Sequence, residues 1–282
     1  MFSLKTFKYI LLIACLIFQS YAFADRLITI GSTSTELVFA LGLGEKVVAV
    51  DQSSLNPPEA RKLPQVGYIR MISPEGILAL DPTHIITGNE IGPKATLDKL
   101  KKTGIPITIV QTPNSIDELI DQIKFLSKDL KVAEKGEKIT LNILNDYQKI
   151  QFPEKAAKVI FLMHHPFTQT GLNAAGKHTK ADKIIKLAGG ENLIKEHSGY
   201  RSISKETLFE INPEIILVGV PENLTTNKEE IMKILFEDRI FDKVPAIKNN
   251  NVLLLPLSKT LSFSHTITET ISKLTEAFSS VP

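Results

Sequence analysis

Short apolar, β-branched runs alternate with amphipathic stretches along most of this chain. Arg26–Ile30, Val47–Val50, His84–Thr87 and Ile105–Val110 read as strands buried on both faces. Between the first two, Leu37, Phe39, Ala40 and Leu41 repeat at helical spacing, with Ser34 or Thr35 placed as an N-cap. Ser73 followed by Pro74-Glu75 predicts a capped helix running to Leu80, because proline suits the first helical turn. Leu97–Lys102 belongs to a further helix. Strands alternating with helices predict an α/β unit on a mainly parallel sheet. The same rhythm returns later. Val159–Met163, Ile215–Val218 and Val252–Leu255 read as strands, and Thr179–Leu187, Lys228–Phe236 and Ile267–Phe278 as helices.

Residues from Ser115 to Ile150 break the alternation. Ile116, Leu119, Ile120, Ile123, Leu126, Ile139, Ile143 and Leu144 recur at helical spacing, with no proline and only Gly136 interrupting. Helical throughout, this stretch would reach roughly 50 Å, longer than one unit needs. It is therefore expected to be the connection between two. The organisation that follows is an N-terminal lobe at 25–114, a connecting helix at 115–150 and a C-terminal lobe at 151–282. The fold class expected is α/β: two Rossmann-like lobes with mainly parallel sheets, joined by one long α-helix, with a ligand cleft between them.

A repeat supports the two lobes. Ser73, Glu75, Pro82 and Ile85 match Ser204, Glu206, Pro213 and Ile216 at a single constant offset, close to half the chain. Gly67-Tyr68 and Arg70 are echoed by Gly199-Tyr200-Arg201. A period that long is not that of a solenoid, which runs about 20–50 residues.

Composition narrows the function classes. Of 282 residues 43% are hydrophobic and 23% charged, which excludes a disordered chain. Lys5 and Lys8 account for the formal net charge of +2, so the body is neutral and gives no electrostatic reason to expect nucleic acid. Those lysines, the apolar run Ile10–Phe18 and Ala22-Phe23-Ala24 compose a secretory leader over residues 1–24, with cleavage expected after Ala24 and export to the periplasm. Leu12-Ile13-Ala14-Cys15 offers the alternative of a lipid anchor on Cys15, the single cysteine. With no thiol in the mature body, disulfides and thiolate metal sites are excluded.

Candidate chemistry concentrates in the loops at the strand carboxyl ends, where open α/β sheets bind ligands. Tyr68 is the sharpest candidate, since a phenolate suits ferric iron and is a known axial ligand of haem, and Arg70 supplies a cation that favours the anion. From the Y-x-R pattern alone, Tyr68 is more readily a loop tyrosine that packs its ring with its hydroxyl on the backbone. His164 and His165, adjacent in an extended loop, point to opposite sides, so one rather than both would serve one ion. Glu75 and Glu206 each open a helix, where a carboxylate favours the dipole. Repeated in two lobes, they also form two acidic knobs suited to a two-fold symmetric basic partner. Motifs of zinc peptidases, P-loop NTPases and serine hydrolases are absent, and no enzyme is expected.

The leader, the paired lobes and the paired S-x-E segments resemble the class III periplasmic substrate-binding proteins of ABC importers. Val66–Leu78 (VGYIRMISPEGIL), Ala174–Asp182 (AAGKHTKAD) and Leu187–Asn192 (LAGGEN) resemble the haem-binding members in particular. The resemblance implies that Tyr68 ligates the iron of haem b, carried as transported ligand, while Arg70 supports the phenolate or a propionate. It implies that Glu75 and Glu206 dock on an ABC permease dimer with its ATPase, in a monomer supplied by an outer-membrane haem receptor. Ile69, Met71 and Phe167 are expected to sandwich the macrocycle, with His165 or His164 as the second axial ligand. The His-His-Pro-Phe sequence departs from the small residues usual there. A ferric siderophore or corrinoid carrier of the same class is the alternative, and a secreted haem-modifying enzyme a third reading.

Overall fold

A computed structural model of the chain describes residues 25–163, 172–222 and 228–281. The leader therefore lies outside the described residues, as do His164, His165 and Phe167. In the N-terminal lobe, β1 (Leu27–Ile30), α1 (Ser32–Ala40), β2 (Val47–Val50), α2 (Pro74–Leu78), β3 (His84–Gly88), α3 (Lys94–Lys101) and β4 (Ile107–Val110) build a four-stranded sheet of order β2-β1-β3-β4. Its pairings are all parallel, Ile28 opposite Ile85 and Ile86 opposite Thr108. The β-branched runs are buried because helices cover both faces.

The connection is α4 (Ile116–Asp129) and α5 (Ala133–Tyr147), two helices rather than the single rod expected. Lys131 takes the left-handed conformation at φ 58°, and the Val132 amide donates to the Ser127 carbonyl at 2.7 Å. This is a helix stop that closes orphan carbonyls, made here by a lysine where glycine is usual. The chain turns back and the helices pack closely. A Cβ added to Gly136 would lie 2.0 Å from Ser127 Oγ.

The C-terminal lobe contains β5 (Lys158–Met163), β6 (Leu172–Ala175), α6 (Lys180–Leu187), β7 (Glu191–Asn192), β8 (Tyr200–Ile203), α7 (Lys205–Ile211), β9 (Ile215–Val220), α8 (Lys228–Phe236), α9 (Pro245–Lys248), β10 (Val252–Pro256), α10 (Leu257–Thr260) and α11 (Ile267–Ser279). Its sheet runs β10-β9-β5-β6-β8, with β7 beside β5. β10, β9 and β5 are parallel, whereas β6 and β8 add antiparallel pairs, so this sheet is mixed.

The sequence repeat is also a conformational one. Asp81 (φ 46°) and Asn212 (φ 53°) are both left-handed, each follows its short helix, and each precedes a proline and a buried strand. One apolar cluster spans the lobes. Leu37 and Val50 from the first, Ile123, Leu126 and Ile143 from the helical connection, and Phe161, Phe263 and Phe278 from the second share it.

Candidate functional site

The loop bearing Tyr68 is fixed from below by an internal carboxylate. Asp51, fully buried, accepts from the Gly31 amide at 2.7 Å, from Ser54 Oγ at 2.6 Å and from the Ser53 amide at 3.0 Å. The expected Ser34 or Thr35 cap of α1 is not formed. Gly31 is the N-cap at φ 97°, and Thr35 Oγ1 instead bonds Thr29 and Ser54. A main-chain bond from Gln52 N to Gly67 O at 2.9 Å then delivers the chain to Tyr68.

Tyr68 precedes a single 3-10 turn over Ile69–Met71. Ile69 is 6% exposed, and its Cδ1 fills the space where side chains on Gly31 and Gly88 would stand. Expected against the macrocycle, Ile69 is instead the peg that seats the loop in the lobe core. The peg is locked by Gly92, whose amide donates to Ile69 O at 2.9 Å and whose carbonyl accepts from the Ile72 amide at 3.0 Å. Tyr68, Arg70 and Met71 remain outward, Tyr68 43% and Met71 78% exposed.

Arg70 faces the other lobe. Burial pushes the Tyr200 hydroxyl up to about 12, while the Ala181 amide, the Arg70 guanidinium and Thr179 pull it back. Tyr200 therefore keeps its proton at neutral pH and sits, half-buried, within the field of the Arg70 charge. The Gly199-Tyr200-Arg201 echo was the signal for this residue, but the strand that carries it, β8, has no apolar run to announce it.

Further contacts cross between the lobes. Lys180 Nζ lies 3.0 Å from Glu90 Oε1, and Lys183 Nζ donates to the Thr112 carbonyl at 3.0 Å. Asn56 Nδ2 donates to Ser258 Oγ at 2.8 Å, and Ser264 Oγ to Glu36 Oε2 at 2.5 Å. Burial raises the Glu36 carboxyl above its ordinary value, opposed chiefly by the bond from Ser264. A cavity of about 470 Å³ at this junction is lined by Glu36, Phe39, Asn56, Lys259 and His265. Another of about 390 Å³ lies between Gln151–Ala157 and Phe278–Val281. Neither is lined by Tyr68. The β5 strand ends at Met163, and 164–171 lie outside the described residues. Among the described residues no group of three or more His, Cys, Asp or Glu is arranged to hold a metal ion. His84 is engaged by Thr108 at 2.7 Å, and burial lowers its affinity for a proton.

Glu75 and Glu206 stand in matching places, in the first turns of α2 and α7 behind Ser73 and Ser204. Hydrogen bonds from Ser73 and from the helix amides hold Glu75 below the ordinary carboxylate value, and the helix amide and Ser204 do the same for Glu206. Both are fully exposed anions at neutral pH.

Comparison with known proteins gives this geometry a family. The chain is 30% identical over 216 residues to the vitamin B12-binding protein of Pectobacterium atrosepticum, spanning 74% of this chain and 77% of that one. Among solved structures, the periplasmic haem-binding protein BhuT in complex with two haems superposes with a TM-score of 0.78 at 25% identity, covering 90% of this chain and 98% of that one. The periplasmic haem-binding protein HutB of Vibrio cholerae superposes at 0.74 with 27% identity, covering 90% and 98%. These relatives are binding proteins by name. The family model described as "Periplasmic binding protein" matches residues 27–258, and the chain belongs to that family.

Proposed function

We propose that this protein is an exported haem carrier: it holds haem between its lobes with Tyr68 on the iron and hands it to an ABC permease. The observation that carries the reading is the Tyr68 loop itself. Ile69 is driven into the core while Tyr68, Arg70 and Met71 stay outward, with the Arg70 charge acting on Tyr200 of the second lobe. A phenolate is a hard oxygen donor for ferric iron, and binding to the metal lowers its proton affinity. Arg70 adds a nearby positive charge that favours the ionised ligand. Met71 presents a flexible apolar side chain to the porphyrin face. A histidine of the His164-His165 pair is the candidate second axial ligand, and Phe167 a candidate apolar contact. Glu75 and Glu206 form the paired acidic contacts for a two-fold permease.

Titrating hemin into the purified protein tests this reading. Wild type is expected to give a high-spin tyrosinate spectrum, and Tyr68→Phe to lose that spectrum together with at least about tenfold in affinity, the loss of one good ligand interaction. Unchanged binding in the variant overturns the assignment. A corrinoid is the second reading, because curated relatives carry the vitamin B12 name. Tight cyanocobalamin binding that Tyr68→Phe leaves untouched would establish it instead.

A further inference from the structure

The first turn of α6 reaches across the seam with two lysines on one helical face, Lys180 and Lys183. Lys183 ends on the Thr112 carbonyl, and burial lowers its hold on its proton. Lys180 ends on Glu90, in the loop after β3, where the carboxylate lies over Gly88. A side chain on Gly88 would meet Glu90 Oε2 at 2.9 Å, so the glycine makes room for the carboxylate. Both partners of the pair are about three-quarters covered, at 22% and 27% exposure. Arg70 stands close by, its charge and that of Glu90 both acting on the Tyr200 hydroxyl. One side chain, Glu90, thus answers Lys180 at a face that also carries Arg70 and Lys183.

We propose that the Lys180–Glu90 pair is a strap that a carboxylate-bearing ligand displaces. In the empty protein Glu90 holds Lys180 and draws the lobes together. When a ligand with its own carboxylates arrives, one of them takes the Glu90 place on Lys180, and the interlobe contact is replaced by a ligand contact. Exchange of one charge-assisted hydrogen bond for another keeps the ammonium satisfied in a half-buried setting, where leaving it bare would be costly, and the released Glu90 carboxylate stays in the field of Lys183. The strap therefore selects by ligand charge. A porphyrin with free propionates can make the exchange, whereas a macrocycle whose side chains end in amides or esters cannot. The inference rests on the haem reading and extends it to specificity.

The test compares hemin with hemin dimethyl ester, in which both carboxylates are capped, on wild type, Lys180→Met, Glu90→Gln and the double variant. Lys180→Met is expected to weaken hemin about tenfold and leave the ester unchanged, one charged hydrogen bond at a partly exposed site. Glu90→Gln, which frees the lysine, is expected to tighten hemin roughly three- to tenfold, and the double variant to match Lys180→Met. A tyrosinate spectrum retained in each variant shows that the fold and the iron ligand are intact. If the preference for hemin over its ester is the same in all four proteins while that spectrum persists, the strap is overturned and the haem reading stands. If wild type binds neither macrocycle, both fall.

Discussion

Glu36 is the side chain at which the two lobes' chemistry can be read through pH. It is buried at the junction, one oxygen accepts from Ser264 and the other lacks a partner. Its folded proton affinity is raised, above the ordinary value of 4.5, chiefly by desolvation. The folded state thus binds this proton more tightly than the unfolded chain. Ionised Glu36 consequently destabilises the fold at neutral pH, and that cost fades as the pH falls through the raised value toward 4.5. Glu36→Gln is expected to melt higher than wild type at pH 7.5, with the difference vanishing by about pH 4.5; a constant difference across that range would reject the buried-carboxylate account. At this scale the sequence was uneven in what it disclosed. Ser73 and Ser204 announce their capping roles because the signal is local, two or three residues long. Ile69 did not, since a lone apolar residue between tyrosine and arginine looks like a ligand contact. Its socket is made by Gly31 and Gly88, distant in sequence.

The helical connection shows what periodicity alone misses. Apolar spacing is nearly the same for one long helix and for two short ones, and the break falls on Lys131, a residue with no reputation as a helix stop. Gly136 was the visible irregularity, but its role is to admit Ser127 of the facing helix. Gly136→Ala is therefore expected to destabilise the protein by about 1–3 kcal/mol, although alanine favours an exposed helix by up to about 1 kcal/mol. A lower denaturation midpoint at unchanged slope checks it, and a higher midpoint would show that the helices part at no cost. The β6 and β8 strands were missed for a related reason. Tyr200–Ile203 is a half-exposed edge strand of mixed residues, and Leu172–Ala175 is only four residues long with an asparagine inside it, so neither forms an apolar run.

For the molecule as a whole, the repeat was legible because duplicated turn chemistry survives when the rest diverges: Asp81 and Asn212 keep one backbone conformation with different side chains. Contacts across the seam were not legible, since pairs such as Lys180–Glu90 and Ser264–Glu36 depend on how the lobes are set against each other. The two acidic knobs belong to this scale. Replacing both, as Glu75→Lys with Glu206→Lys, is expected to leave hemin titrations unchanged yet reduce stimulation of the permease ATPase in reconstituted vesicles at least about tenfold, with single replacements intermediate. Full stimulation by the double variant would remove these residues from docking. Lys99, 3.6 Å from Glu75, already shades the N-terminal knob, so the C-terminal replacement should have the larger effect.

The apolar cluster that runs from Leu37 through Ile143 to Phe278 makes the molecule resemble a book whose pages are glued along the spine. Wide hinge swings would tear that glue into water, at about 25 cal/mol for every Å² uncovered. Its natural motion is accordingly a narrow flexing of the mouth, and prising the covers further apart is work that must come from outside the protein.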